Sequence, residues 1–166
     1  MKKVDVLPKK NTVRCIIQFF ESVFIFAADF YVKTISVKLE HIAIWCRDLE
    51  KMKNFYTTVF SGEANTKYTN PNTGFSSYFL TFPDGGARLE LMQMPGIVEN
   101  TNTLQPQAFG IVHLSIQTGS KEEVIRLAEA LPAYGCQVLR GPRTTGDGYF
   151  EVEALDIEGN RIEVMA

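Results

Sequence analysis

Cysteine is scarce in this chain, which has three cysteines among its 166 residues. Cys15, Cys46 and Cys136 lie far apart in the sequence and form no Cys-x-x-Cys pair. An odd, scattered set of this kind argues against a disulfide framework and against a cysteine-based zinc site. Cys46 and Cys136 are interpreted as small buried hydrophobic residues. We therefore expect reducing surroundings and a cytoplasmic location.

An excess of charge of one sign is also lacking. The chain has 17 Lys and Arg residues against 19 Asp and Glu residues, and its pI is near 5.7. This balance provides no basic field, so we expect no nucleic-acid partner. The sequence has no phosphate-binding loop, dinucleotide-binding fingerprint or nucleophile elbow. Its 45% apolar and 22% charged residues are typical of a globular protein with one domain or two small modules.

A long uninterrupted apolar run is missing as well. Residues 15–32 (CIIQFFESVFIFAADFYV) are apolar but include Glu21 and Asp29, whereas a membrane helix prefers about 20 apolar residues in a row. Basic residues precede this segment, yet no convincing small-residue cleavage site follows it. A membrane-binding or partner-binding helix is one interpretation. We favour an appended amphipathic helix or upstream sequence outside the domain proper, and predict that residues 1–36 are an N-terminal extension with no membrane partner.

Two stretches of the chain repeat each other, and each contains one His and one Glu. His41 and Glu90 are separated by 90 − 41 = 49 residues, and His113 and Glu163 by 163 − 113 = 50. The surrounding sequences are also similar: LEHIAIW resembles IVHLSIQ, and GGARLELM resembles EGNRIEVM. This spacing predicts a domain over residues 37–166. Its two tandem βαβββ modules would span residues 37–95 and 108–166, with a linker over residues 96–107.

The hydrophobic pattern assigns the same elements to both modules. Asp48 is the predicted N-cap of the first helix and Gly62 its C-terminal stop; Ser120 with Glu123 forms a capping box for the second. Pro132 and Gly135 are expected to end that second helix. The predicted strands cover residues 38–45, 63–69, 75–82 and 87–93 in the first module, and 110–117, 136–140, 149–155 and 160–165 in the second.

The duplicated residues form a possible ligand set. Taken singly, a His on an apolar strand is usually a core residue, and a Glu beside a turn is usually exposed. Here the chain's only two histidines fall on equivalent positions, which favours a metal site built from His41, Glu90, His113 and Glu163. Imidazole and carboxylate donors suit Zn, Ni, Mn, Co or Fe without choosing among them. Open positions could bind adjacent oxygens of a small-molecule substrate.

An arginine precedes each glutamate by two residues, on the same face of the predicted strand. Arg88 and Arg161 could therefore pair with the carboxylates or bind an anionic substrate. The alternative is that each arginine covers the rim of its sheet, and the sequence does not decide between the two.

The arrangement resembles the vicinal oxygen chelate superfamily, and glyoxalase I (lactoylglutathione lyase) in particular. The resemblance covers about residues 37–166 and rests on LEHIAIW with DLEKMKNFY, GGARLELM, VHLSI and LDIEGNRIEVM. It implies an α+β fold in which both modules form a cupped mixed sheet. By position, His41, Glu90, His113 and Glu163 match the family's metal ligands, and Glu163 matches the carboxylate that moves the substrate proton. The implied activity is methylglyoxal detoxification by a metal-dependent lyase, in a homodimer whose modules pair within or between chains.

Two positions depart from the glyoxalase I pattern. Trp45 stands where that family usually has an Arg that contacts glutathione, and Met94 stands where it has an Asn. Both changes remove polar contacts to a tripeptide, so we expect the metal chemistry to carry over and glutathione specificity to be lost. Trp45 is predicted to line a more apolar substrate pocket.

The stretch GPRTTGDGYFE, residues 141–151, could be a substrate loop that brings Arg143 and Tyr149 to the same pocket. The alternative is a plain hairpin connection whose glycines supply the turn.

Other members of the superfamily provide rival functions. An acyl-thioester epimerase also moves a proton beside a carbonyl. An extradiol dioxygenase and a thiol transferase acting on fosfomycin use a related ligand set, but Glu90 would fill a position that they leave open. A binding protein of the bleomycin-resistance kind needs no metal, so retention of four ligand types argues against it.

Overall fold

The computed structural model describes residues 36–99 and 109–166. Leu39–Ala166 form one compact unit. The predicted N-terminal helix, and residues 100–107 of the predicted linker, lie outside the described residues. Within the described part of the chain, no helix is long and apolar enough to cross a membrane.

The first module forms one mixed sheet with a single helix. Its elements are β1 (His41–Trp45), α1 (Leu49–Phe60), β2 (Glu63–Ala64), β3 (Tyr68–Thr69), β4 (Ser76–Thr81) and β5 (Arg88–Gln93). The strands lie in the order β1-β5-β4-β2, with β3 also paired to β4. Strands β1 and β5 are parallel, and the other pairs are antiparallel.

The second module repeats this plan. Its elements are β6 (Leu114–Gln117), α2 (Lys121–Ala130), a 3-10 helix (Leu131–Tyr134), β7 (Gln137–Thr144), β8 (Phe150–Leu155) and β9 (Arg161–Met165). The strand order β6-β9-β8-β7, with β6 parallel to β9, matches that of the first module. The predicted α+β fold with two βαβββ modules is confirmed, although the described residues form two separate sheets rather than one.

Several element boundaries differ from the prediction. The strand expected over residues 63–69 is two short strands, β2 and β3. The strand expected over residues 110–117 begins only at Leu114, so His113 precedes it. Strand β7 continues to Thr144, and residues 141–144 therefore belong to a strand rather than to a loop.

Both predicted helix N-caps are confirmed. The side chain of Asp48 accepts from the backbone N–H of Lys51, and that of Ser120 accepts from the N–H of Glu123. The predicted stop at Gly62 is wrong by one residue, because Ser61 takes the left-handed conformation with φ 56°. Its N–H bonds to the carbonyl of Tyr56 and closes the last turn.

The end of the second helix also differs in detail. Helix α2 gives way to the 3-10 helix, which includes Pro132 near its start. Gly135 then takes φ 91° and ends the 3-10 helix. The helical segment ends near the predicted position, but its last turn is a 3-10 turn, which is tighter than an α-helical one.

Each sheet buries one face against a helix and leaves the other face accessible. In β5, Leu89 and Leu91 are buried while Arg88 and Glu90 on the opposite face are half-buried. The same alternation in β9 buries Ile162 and Val164. The buried residues of both modules belong to one hydrophobic core. The face opposite the core is therefore where each module can display polar side chains, and we call it the outer face.

A turn of the second module joins it to the first. The Tyr56 hydroxyl donates to Asp156 over 3.0 Å, and both residues are buried. Glu158 accepts from the backbone N–H groups of Arg47 and Asp48, each at 2.7 Å. Glu158 of the second module thus lies directly before the N-terminus of α1, where a carboxylate interacts favourably with the helix dipole.

Candidate metal centre

The first module brings His41 and Glu90 together. They lie on adjacent parallel strands, where Glu90 is in register with Ala43, two residues beyond His41. His41 Nε2 is 3.7 Å from Glu90 Oε2, and the side chains are 39% and 14% exposed. The two atoms are close enough for both to bind one cation at about 2.1 Å.

The second module makes the equivalent pair. His113 Nε2 is 3.6 Å from Glu163 Oε2, and the side chains are 37% and 19% exposed. Glu163 lies on β9 opposite Ser115 of β6. His113 keeps its position beside Glu163 although it precedes the strand on which it was predicted to lie.

The structure of one chain does not bring all four predicted ligands together. Among residues 36–99 and 109–166, no three His, Cys, Asp or Glu side chains cluster closely enough to hold a metal ion. The four donors instead form two His–Glu pairs. Each pair has the donor types and spacing for half of a mixed nitrogen and oxygen site.

Glu40 supports the first pair, and the sequence prediction missed it. Its carboxylate lies 2.5 Å from His41 Nδ1 and 2.5 Å from an Nη of Arg88. The hydrogen bond with His41, together with Arg88, lowers the pKa of Glu40 against a smaller opposing effect of desolvation. A carboxylate on Nδ1 fixes the histidine ring and leaves Nε2 available to a metal. In the sequence, the indication of this contact is that Glu40 directly precedes His41.

Glu151 is a second residue that the prediction missed. Its carboxylate accepts from Arg143 at 2.7 Å. Burial raises the pKa of Glu151, the hydrogen bond and negative charge of Glu163 raise it further, and the nearby arginines oppose them. The Ser115 hydroxyl also donates to Glu163, over 2.9 Å. The signal was the alternation FEVE, which places Glu151 and Glu153 on one face of a strand.

The two duplicated arginines have different surroundings. Arg88 pairs with Glu40, and its guanidinium lies 4.1 Å from the centre of the Phe79 ring. Arg161 pairs with the buried Glu153, which Arg140 also contacts. Burial tends to raise the pKa of Glu153, but hydrogen bonds from both arginines outweigh it and lower the pKa. Both arginines thus form ion pairs with neighbouring carboxylates, Arg88 with Glu40 and Arg161 with Glu153.

The residues predicted to line a substrate pocket fall in both modules. Trp45 is 41% exposed and meets Phe75 edge-on, with ring centres 6.1 Å apart. Phe75 also contacts Tyr68, which extends this aromatic surface on the first sheet. In the second module Tyr149 is 51% exposed.

The stretch around Arg143 is a hairpin, as the plainer interpretation proposed. Arg143 is paired with Glu151 across β7 and β8, and the connection follows it. Thr145 closes the turn, because its backbone carbonyl accepts from Gly148 and its N–H donates to the carbonyl of Tyr149. Arg143 is therefore held on an edge strand beside Glu151.

The described residues also form a cleft of about 770 Å³ between β1 and the chain before β6. It is lined by residues 42–47 of β1 and the turn after it, which include the predicted pocket residue Trp45, and by His113 and Leu114. His41, Glu90 and Glu163 do not line it. The cleft is therefore separate from the first His–Glu pair.

The two described cysteines are buried, as predicted. Desolvation raises the pKa of Cys46 and of Cys136 to about 12, with nearby carboxylates contributing. Thiols this far from ionisation are poor nucleophiles and poor metal ligands.

Comparison with known proteins gives consistent family and fold matches. The model of the Glyoxalase/Bleomycin resistance protein/Dioxygenase superfamily matches residues 38–164. No curated protein matches the sequence significantly. A glyoxalase family protein from Bacillus cereus superposes with a TM-score of 0.70 at 14% identity, covering 81% of this chain and 96% of that one.

Two further solved structures have the same fold at low identity. Glyoxalase I from Zea mays, as a V278E mutant, has a TM-score of 0.62 and 23% identity over 77% of this chain and 44% of its own. The fosfomycin resistance protein FosX from Listeria monocytogenes, complexed with Mn(II) and sulfate, has a TM-score of 0.58 and 19% identity. That match covers 80% of this chain and 93% of that one.

Proposed function

Because the chain belongs to the Glyoxalase/Bleomycin resistance protein/Dioxygenase superfamily, we propose that it is a metal-dependent lyase or isomerase of glyoxalase I type. Its substrate would be a small molecule with two adjacent oxygens. The similarity to a maize glyoxalase I and to a fosfomycin resistance protein complexed with Mn(II) supports this proposal at the level of the fold and of the metal.

The observation that carries the proposal is the pair of half-sites. His41 with Glu90 and His113 with Glu163 repeat one geometry, with Nε2 to Oε2 distances of 3.7 and 3.6 Å. Both distances are longer than the length of a normal hydrogen bond. All four side chains are between 14% and 39% exposed, as a site open to substrate requires.

A divalent ion in this site would polarise the adjacent substrate oxygens and make the neighbouring C–H more acidic. Glu163 would take that proton and return it to the next carbon. The Ser115 hydroxyl holds one oxygen of Glu163 at 2.9 Å and so restricts its orientation. Glu40 holds the His41 ring through Nδ1.

The surroundings of the half-sites favour a substrate other than the glutathione adduct. Trp45, Phe75 and Tyr68 present an aromatic surface on the first sheet. We therefore propose that Trp45 and Tyr149 contact an apolar part of the substrate, and that Arg143 provides a cationic contact beside Glu163.

The complete site requires both half-sites. We propose a homodimer in which the first module of one copy faces the second module of the other, so that each site contains His41 and Glu90 from one chain and His113 and Glu163 from its partner. Such a two-fold arrangement would create two equal sites per dimer.

Metal analysis and turnover test the proposed function. We expect about one bound divalent ion per chain, in keeping with four ligands per site, and turnover of a hemithioacetal substrate. The methylglyoxal–glutathione adduct should be compared with adducts of other thiols. Glu163→Gln should lower kcat by about 10²–10⁴-fold, whereas Glu122→Gln, an exposed change on α2, should not. Protein without metal, or without turnover of any such adduct, would contradict the assignment.

A further inference from the structure

Arg88 lies directly beside the first His–Glu pair. In the pairing of β1 with β5, Arg88 is in register with His41, and Glu90 follows two residues later on the same face of β5. One Nη of Arg88 lies 2.5 Å from Glu40, yet the arginine side chain remains 37% exposed. Arg88 is therefore held next to the proposed metal ligands while part of its side chain stays open to solvent.

An aromatic ring and one carboxylate fix the guanidinium group of Arg88. Its Cζ lies 4.1 Å from the centre of the Phe79 ring, which also meets the His41 ring edge-on with centres 5.3 Å apart. A guanidinium has five N–H donors, and the buried Nε of Arg88 has no hydrogen-bond partner among the described residues. Glu40 thus orients this guanidinium without satisfying all of its donors.

The duplicated arginine of the second module is enclosed instead. Arg161 is only 12% exposed and pairs with the buried Glu153. Glu153 lies opposite the ligand glutamate of its own sheet, and the equivalent position of the first sheet is Phe79. An aromatic ring therefore stands where a carboxylate would pair with Arg88, which leaves Arg88 the more exposed of the two arginines.

The outer face of the first sheet presents three kinds of group in a row. Arg88, Glu90 and Met92 follow one another on the same face of β5, and Trp45 is in register with Met92. Trp45 in turn contacts Phe75. Four residues of strand separate the level of Arg88 from that of Trp45, about 13 Å. A molecule lying along β5 would meet a cation at one end, the proposed metal ligands in the middle and an aromatic surface at the other end.

We propose that Arg88 is a specificity-determining residue that binds a carboxylate of the substrate, and that the opposite end of the substrate is apolar. The inference deepens the proposed function and rests on it, because it places the adjacent oxygens of the substrate at the metal between these two ends. The planar fork of an arginine binds a carboxylate through parallel N–H donors. The apolar end lies against Trp45 and Phe75.

A charged ligand and its neutral analogue separate the two contacts. 4-Phenylbutyrate and 4-phenylbutyramide would each be titrated calorimetrically into the metal-free full chain, so that no metal ion can bind the carboxylate. Arg88→Met removes the charge but keeps a long side chain over Phe79, and Arg88→Lys keeps the charge without the fork. Arg126→Met is the matched control, because Arg126 is an exposed arginine on α2 that also pairs with a glutamate, Glu123.

We expect the wild type to bind the acid about 10–100-fold more tightly than the amide, as a charge-assisted hydrogen bond provides. Arg88→Met should abolish this preference, Arg88→Lys should reduce it, and Arg126→Met should leave it unchanged. Equal affinities for acid and amide in the wild type, or an unchanged preference in Arg88→Met, would overturn the role of Arg88. If Arg88→Met does not fold, an unchanged preference in Arg88→Lys would overturn it as well.

Two further measurements complete the test. Trp45 is the only tryptophan of the chain, so both ligands should change its fluorescence, and no change with either would overturn the apolar end of the substrate. Ni²⁺ binding by the wild type is measured separately. A protein that binds Ni²⁺ but shows no preference for the acid would overturn the substrate class alone. A preference that depends on Arg88 in a protein that binds no Ni²⁺ would overturn the proposed function and leave Arg88 as an anion-binding residue.

Discussion

Gly141 lies at the point where β7 passes closest to β8. Its φ is 90°, and a Cβ placed there would lie 2.6 Å from the carbonyl oxygen of Glu151. Such a contact cannot be relieved by moving a flexible side chain, because the opposing atom belongs to the backbone of the next strand. Only glycine therefore allows this approach, and it brings β7 against the strand that contains Glu151.

We expect Gly141→Ala to destabilise the protein by more than about 2 kcal/mol, since a left-handed backbone conformation alone costs about 1–2 kcal/mol and the overlap adds to it. Gly148→Ala is the control, because Gly148 has φ 98° but no atom within 4 Å of its added Cβ. Urea denaturation of both variants measures the difference. Equal losses of unfolding free energy would show that the approach of β7 to β8 is not tight.

Glu50 has a separate electrostatic role at the start of α1. It accepts from Lys53, Lys67 and Tyr78, each at 3.0 Å. These hydrogen bonds, that of Lys53 foremost, lower its pKa from 4.5 to about 2. The unfolded chain binds the proton more readily than the folded one, so the stabilisation is present above pH 4.5 and is lost as the pH falls toward 2.

We therefore expect Glu50→Gln to lower the free energy of unfolding near neutral pH and to have less effect near pH 3. The effect should be small, on the order of 0.5 kcal/mol, because Glu50 is half-exposed and solvent screens its ion pairs. Urea denaturation at both pH values measures it. If the difference in unfolding free energy between the wild type and Glu50→Gln increased on acidification, it would contradict this electrostatic role of Glu50.

At the scale of elements, the turn between β8 and β9 holds the two modules together. Glu158 in this turn accepts from two N–H groups at the start of α1, and the nearby Asp156 accepts from Tyr56. In the equivalent turn of the first module Gly85 aligns with Glu158, and the neighbouring Asp84 is exposed. The second module therefore contributes this turn contact to the first module, and the duplicated turn of the first module does not make the equivalent contact among the described residues.

We expect Glu158→Ala to destabilise the protein by about 1–3 kcal/mol, because it removes two charge-assisted hydrogen bonds to backbone N–H groups directly before α1. Glu122→Ala, at an exposed position in the first turn of α2, controls for the loss of one acidic side chain. Thermal unfolding compares the two. A Glu158→Ala variant as stable as Glu122→Ala would mean that this cap contributes nothing to the joint.

Local patterns predicted most elements but not the contacts between them. Caps such as Asp48 and Ser120 act within one turn of helix, so the sequence reveals them directly. Glu151 was overlooked because its contact with Arg143 depends on how β7 aligns with β8, which no local pattern specifies. Strand β7 was predicted too short because its glycine and proline are typical of turns, although an edge strand tolerates them.

At the scale of the whole molecule, the repeat predicted four candidate ligands in two pairs but not how the pairs are arranged. The internal symmetry of the sequence correctly indicated two like modules, each with one His–Glu pair. The distance between pairs depends on how the modules pack, and that packing relies on unique residues such as Glu158 that the repeat does not share. In the described part of a single chain the pairs stay separate, which is why the proposed site requires a second copy.

A mixing experiment tests this assembly directly. His41→Ala and His113→Ala should each lose metal binding and turnover as pure proteins. After the two variants are mixed under conditions that allow subunits to exchange, half of the dimers should be mixed, and one of the two sites in each would contain both histidines. We thus expect about a quarter of the wild-type sites to return, as random pairing in a two-fold dimer requires.

The same mixture distinguishes sites within chains from sites between them. If all four ligands met within one chain, every chain would lack one histidine, and mixing would restore neither Ni²⁺ binding nor turnover. A mixture of His41→Ala with Glu90→Gln is the matched control, because both changes fall in the first module and no pairing can complete a site. Recovery with His113→Ala but not with Glu90→Gln is therefore possible only if opposite modules of two copies face each other.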